Sequence, residues 1–445
     1  MLVLLCSSFI AAIILLAIYF QYLYSNKALS FLDPNILFQL YFFIQLPLVL
    51  FLGINYELPG FLSLSPKIPF DKFILLSAII CLAYFAFIAG SHVIGKKFIR
   101  MPIFGNERFN KSTANFVSLL TFIFGYISFI YLLQVNGGYD NFMLERESWR
   151  AGGMSGQGWI IFPSTTMLAI ASLCIVIVNK NIFCARRGGF LFVLLVCLTV
   201  APATQLGFRG MMLWPVLQLL VAYHLRITRL PFRDLVIGLI IIIGLFTIYG
   251  IYREITFIAT TGIDISIALD FIQNRPEFIF STFLRSKGAD IVSVIVSNIN
   301  NLEDFKFFWP LAIEALTIPI PSDLWSGKPI PQSVEFAQIF FGLGGGVSPT
   351  IVGEAYWQAG ILGVLIILFF TGMIIKIYVN TMLIFINHDA VALLMLSIFP
   401  LMILIAESLQ GFLNSFVLSY ISCSLFLILI ALFNQFFWLM RKFKS

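Results

Sequence analysis

Runs of apolar residues long enough to cross a lipid bilayer recur along nearly the whole chain, and one long polar stretch interrupts them. A helix rising about 1.5 Å per residue needs roughly 20 residues to cross the hydrocarbon core. Eleven windows meet or approach that length: 2–24, 35–54, 72–94, 113–134, 159–178, 188–204, 208–225, 234–251, 353–378, 389–406 and 411–438. With 60% hydrophobic and 11% charged residues and a mean hydropathy of +0.99, an ordinary soluble domain is excluded. The expected fold is an all-α polytopic membrane protein of about 11 transmembrane helices. The first window lacks a basic leader and a small-residue cleavage signature, so it reads as a retained helix. Residues 1–251 then carry helices one to eight, 252–352 a large external loop bearing short helices, and 353–445 helices nine to eleven and a short basic tail.

Lys and Arg in short loops stay preferentially on the cytoplasmic side during insertion. Lys96, Lys97, Arg100, Arg108 and Lys111 follow the third window; Lys180, Arg186 and Arg187 the fifth; Arg226, Arg229 and Arg233 the seventh; Arg441, Lys442 and Lys444 end the chain. All fall on one side if the N-terminus is outside and the C-terminus inside. The stretch from Arg253 to Pro349, holding ten of the twenty-one acidic residues, is then external. The net charge of +6 reflects this topology and offers no nucleic-acid surface.

Several chemistries are disfavoured. The six cysteines fall on helices or the cytoplasmic side, against a disulfide framework or a zinc cluster. His92, His224 and His388 lie near cytoplasmic helix ends, so a base for external chemistry must be a carboxylate or belong to the substrate. Gly342-Leu-Gly-Gly-Gly346 has no following Gly-Lys-Ser/Thr and reads as a link into the next helix. No Asp-x-Asp pair is present to hold a metal-bound sugar nucleotide, and neither a metal nor another cofactor is expected.

What stands out on the external face is a set of basic residues that topology does not require: Arg146, Arg150, Arg209, Arg253, Arg285 and Lys287. Arg209 lies in a tight Gly-flanked turn between two apolar runs. A guanidinium held near the membrane boundary asks for a neutralising partner, and its planar fork suits phosphate oxygens bidentately; the plainer alternative is a snorkelling residue that ends a helix. Arg146 and Arg150, four residues apart, share a face on a helical turn, where a bound anion or Glu145, Glu147 and Asp140 offset their repulsion.

On these features, together with the Gly207-Phe-Arg-Gly210 turn, the passage from Pro319 to Pro329, and Ser348-Pro-Thr-Ile-Val-Gly-Glu-Ala-Tyr356 followed by Gly360-Ile-Leu-Gly363, the chain resembles the O-antigen and oligosaccharide repeat-unit polymerases of bacterial envelopes. The resemblance extends over most of the length. It implies a GT-C-like glycosyltransferase in the bacterial inner membrane with its active site facing the periplasm. Such an enzyme moves the growing glycan from undecaprenyl diphosphate onto a new lipid-linked repeat unit. Its partners are the undecaprenyl-diphosphate-linked oligosaccharide, the lipid bilayer and a chain-length regulator protein, with no nucleic acid.

The resemblance also suggests roles. Arg209 with Arg146 and Arg285 would grip diphosphates, and Arg150 and Arg253 add positive charge nearby. Glu354 is a base for the acceptor hydroxyl, or else a helix N-terminal carboxylate favoured by the macrodipole. Asp323, Trp325 and Lys328 belong to a lid over the site. Trp325, Tyr356 and Trp357 stack on sugar rings or belong to an interfacial aromatic belt. The competing readings are a flippase of lipid-linked oligosaccharide, which calls for charged residues inside several helices, an O-antigen ligase-like transferase, and a scaffold of an envelope-synthesis complex.

Overall fold

The structure, a computed structural model, describes, besides isolated residues, 32–48, 70–93, 108–139, 141–142, 158–185, 187–206, 209–231, 288–299, 305–306, 332–342, 347–406 and 408–442. All regular structure among them is helical. The α-helices are α1 (Pro34–Phe43), α2 (Phe70–Val93), α3 (Lys111–Val135), α4 (Gly158–Phe162), α5 (Leu168–Val178), α6 (Lys180–Cys184), α7 (Gly188–Leu206), α8 (Arg209–Arg226), α9 (Gly288–Asn298), α10 (Gln332–Phe341), α11 (Thr350–Phe385), α12 (Asp389–Ile398), α13 (Leu401–Leu404) and α14 (Leu409–Lys442). Two π-helical turns, Ile44–Leu48 after α1 and Pro163–Met167 between α4 and α5, each contain a proline.

Six helical stretches among the described residues are long and apolar enough to cross a membrane: Lys72–Val93, Lys111–Val135, Ile160–Val178, Gly188–Leu206, Thr350–Phe385 and Gly411–Met440. They coincide with six of the expected windows. Asp389–Ile403 is a shorter apolar helix. α8 has the length, but Arg209, Pro215, Gln218, His224 and Arg226 dilute its apolar run. Windows 2–24 and 234–251 fall mostly outside the described residues. Large apolar side chains point outward on α3 (Leu119, Ile123, Phe124, Ile127), α7 (Phe190, Val193) and α14 (Ile428, Leu432, Phe436). Rows of exposed apolar residues on long helices fit a hydrocarbon surround rather than water.

Inside, the helices approach closely where side chains are small. A Cβ added to Gly90 of α2 would lie 1.9 Å from the Phe369 carbonyl oxygen of α11, and one on Gly372 would lie 2.1 Å from that of Phe87. Backbone-to-backbone contact of this kind packs helices where no hydrophobic effect drives them together. Ser172 of α5 and Thr199 of α7 share a hydrogen bond of 2.6 Å. Asn115 of α3 and Asn179 after α5 bond reciprocally at 3.3 and 2.6 Å.

The expected external loop contributes to the core. In α9, Ile291 through Val296 are all buried, so the helix is enclosed on every face. Eleven residues, about 16 Å of helix, are too short to span a bilayer. α9 meets the starts of two long helices: Lys72 of α2 donates to the Val296 carbonyl at 3.5 Å, and Gly353 of α11 packs against Val292 and Ile295.

Candidate functional site at the α9 end of the bundle

Two segments far apart in sequence define the two ends of the bundle. Arg226, at the end of α8, pairs with Asp389, at the start of α12, and also donates to the Ile386 carbonyl; Asp389 further accepts the Phe109 amide at 2.9 Å. Midway, Gln218 Nε2 of α8 donates to the Ser397 carbonyl of α12 at 2.7 Å. Gln218 stands eight residues before Arg226 and Ser397 eight after Asp389, so the two segments are antiparallel and in step. From that contact α8 runs back towards its start at Arg209, at the end of the bundle opposite the Arg226–Asp389 pair, and the segment after α12 runs towards the same end.

Ala406 leads directly to Glu354. The Ile351 amide donates to the Ala406 carbonyl at 3.2 Å. Glu354 is 1% exposed; its Oε1 accepts from Ser408 Oγ at 2.5 Å and its Oε2 from the Leu409 amide at 2.6 Å. Ser408 Oγ in turn accepts the Gly411 amide at 3.0 Å. A serine at the N-cap thus receives an orphan amide of α14, and a carboxylate from another helix takes a second. The arrangement also places negative charge at the positive end of a long helix dipole.

The first turns of α11 are held in an unusual backbone. Thr350 has a φ of 61°, which a β-branched residue rarely adopts, while its Oγ1 accepts the Gly353 amide at 3.3 Å. Ala359 (φ −157°, ψ 35°) and Gly360 (φ 59°, ψ −144°) break the helix. Only glycine tolerates the second of these conformations, and the Phe305 ring fills the space beside it, 3.2 Å from where a Cβ would lie. Beyond the break, a Cβ on Gly363 would lie 2.2 Å from the Ala355 carbonyl oxygen, so the chain bends back sharply upon itself. The Gly360-Ile-Leu-Gly363 string therefore marks a bend that sets off residues 350–358 as a separate short helix.

Around that short helix, Lys306 Nζ pairs with Glu335 of α10 at 2.6 Å and lies 5.4 Å from the centre of the Trp357 ring; its amide donates to the Trp357 carbonyl at 3.1 Å. Phe336 and Phe340 meet Trp357 edge-on, and Phe305 meets Tyr356 in the same way. Tyr356 and Trp357, expected against sugar rings, are 8% and 2% exposed, with their surfaces given to protein. Trp325 is 38% exposed and keeps a face available.

The structure brings Arg209 and Glu354 to one end of the bundle, where α9 and α10 also pack. For Arg209 it describes the backbone, at the first residue of α8. Arg146, Arg150, Arg253, Arg285, Asp323 and Lys328 lie outside the described residues, as do Lys287 and most of the Gly342–Gly346 string. Sequence reasoning missed Ser408, Lys306 and Gln218. The Ser408-x-x-Gly411 spacing before an apolar run is a helix-start signal that could have found the first; nothing local singles out the others.

No protein-family model, no curated protein and no solved structure matches this chain. The fold defines its class by itself: an all-helical protein with six described helices fit to cross a membrane and a short helix, α9, buried against them.

Proposed function

We propose that the chain is a membrane glycosyltransferase of the O-antigen polymerase kind, extending a glycan carried on a polyprenyl diphosphate at the outer face of a bacterial inner membrane. The observation that supports this reading is that α8 begins at Arg209 at the same end of the bundle as the buried Glu354, 145 positions away in sequence. An arginine and a carboxylate at one membrane-boundary site suit transfer away from a diphosphate. The acceptor hydroxyl oxygen attacks the anomeric carbon of the donor, and the bond from that carbon to the diphosphate oxygen breaks. The electron pair leaves with the diphosphate, whose growing charge the Arg209 guanidinium stabilises. The acceptor's proton passes to Ser408 Oγ as the Ser408 proton passes to Glu354 Oε1 along their 2.5 Å hydrogen bond.

The bundle's opposite end supports the orientation. Arg226, Lys111, Lys180 and Arg187 all lie at the helix termini that meet around Asp389 and the Asn115–Asn179 pair, as a cytoplasmic side enriched in basic residues requires.

The experiment is complementation of a deletion strain, reading the surface-glycan ladder and protein level together. Arg209→Ala should leave single repeat units attached but abolish longer chains, and Arg209→Lys should restore part of the ladder. A full ladder with Arg209→Ala overturns the reading. Lipid-linked units trapped on the cytoplasmic side would instead identify a flippase.

A further inference from the structure

A polar seam runs inside the bundle between α1 and α2, away from the site above. Asp33 is 4% exposed; its Oδ1 accepts from the Asn35 amide at 2.9 Å and from Asn35 Nδ2 at 3.0 Å. One turn on, Gln39 is fully buried, donating to the Asn35 carbonyl at 3.0 Å and accepting the Tyr84 hydroxyl of α2 at 2.7 Å. On α2, Ser77, Tyr84 and Ser91 recur every seven residues, which puts them on one helix face, and all three are buried. Phe38 stacked on Phe87 at 4.2 Å fixes α1 against that face.

Three atoms along these two segments have no hydrogen-bond partner among the described residues: Asn35 Oδ1, Gln45 Oε1 in the π-helical turn that continues α1, and Ser77 Oγ. Each belongs to a residue more than nine-tenths buried. Leaving such groups dry in an apolar interior is costly, and ordered water is the usual remedy. From Asp33 to Gln45 the path climbs roughly 18 Å at the helical rise, too far for a single bound ion to serve all its members.

We propose that the α1–α2 seam is a hydrated proton path into the membrane, with the Asp33 carboxyl as its proton-binding group and the Tyr84 hydroxyl as its relay. A proton taken up by an Asp33 oxygen is released to a water of the seam. Each hydroxyl or water oxygen along the way accepts one proton and releases another, so no net charge remains behind. The group is suited to this exchange: burial pushes the Asp33 carboxyl up from its usual range, with the Asn35 hydrogen bonds and Lys376 opposing. The groups around it are few. α11 brings Lys376; α2 brings Tyr84, Ser91 and, at its end, the exposed His92; α13 (Leu401–Leu404) brings no titratable side chain.

The test uses the full chain reconstituted in liposomes loaded with a pH-sensitive dye, with a potassium diffusion potential imposed by valinomycin. Wild type is expected to acidify the lumen faster than protein-free vesicles. Asp33→Asn, which keeps an acceptor for the Asn35 amide, and Tyr84→Phe, which loses one hydroxyl, are each expected to stay folded and drop to the protein-free rate, while Asp33→Glu retains flux. Wild-type flux equal to that of empty liposomes, or wild-type flux in either folded variant, overturns the proposal.

Discussion

Gln218 of α8 and Ser397 of α12 are joined at 2.7 Å, each eight residues from the paired ends Arg226 and Asp389. This bond and the Arg226–Asp389 pair together set the two helices antiparallel and in step. That arrangement in turn decides that Arg209 starts its helix at the end where Glu354 is buried. Gln218 donates from within a bundle, where an amide left without a partner is costly.

Arg226 and Asp389 are 12% and 7% exposed, and removing one partner leaves the other charge without its counterion. Arg226→Ala or Asp389→Ala should each cost about 3–5 kcal/mol, while Arg226→Ala combined with Asp389→Ala should cost markedly less than the sum. Thermal unfolding of the four proteins in detergent gives the cycle; additive losses would show that the pair does not act as a unit.

Gly90 and Gly372 leave no room for a methyl group, since the nearest atoms are backbone carbonyls at 1.9 and 2.1 Å. Gly90→Ala and Gly372→Ala are each expected to destabilise by about 1–3 kcal/mol through overpacking of α2 against α11. Gly189→Ala, where nothing lies within 4 Å, is the matched control and should melt like wild type.

Thr350 holds a φ of 61° at the start of α11. Thr350→Asn keeps a side-chain acceptor for the Gly353 amide and tolerates that backbone, so it should stabilise by about 1 kcal/mol. A lower melting temperature for this variant would show that the threonine's own packing outweighs the strain.

Asp33 gives a pH dependence with a definite sign. Its carboxyl is raised above the ordinary aspartate value of 3.8 in the folded state, mainly by burial, so the native state holds the proton to higher pH than the unfolded chain does. The stability it contributes is therefore full below about 3.8 and is lost as pH rises through the folded-state value. Melting curves over pH 3–7 should show wild type losing stability relative to Asp33→Asn as pH climbs; parallel curves would contradict the assignment.

Much of the fold was legible because hydropathy is local. The windows 72–94, 113–134, 159–178, 188–204, 353–378 and 411–438 each carry enough apolar side chain to declare a span without reference to the rest of the chain. Asp33, Asn110 and His388 likewise stand where helix starts need an acceptor, and each accepts an amide of the turn that follows. The reading was less complete where burial depends on neighbours. Residues 291–296 belong to a stretch read as an external loop, yet their apolar run, interrupted only by Ser293, is what lets α9 enter the core.

Sequence by itself determined a membrane protein, its helical content and the positions of six long spans, since these follow from side-chain transfer into hydrocarbon and backbone hydrogen bonding within each segment. Tertiary structure alone decided the bend at Gly360, the burial of α9, the commitment of Glu354 to Ser408 and Leu409, and the end of the bundle at which α8 begins. Each of these depends on which backbones approach closely enough to demand a glycine or a hydrogen-bond partner, and that is settled only when distant segments pack.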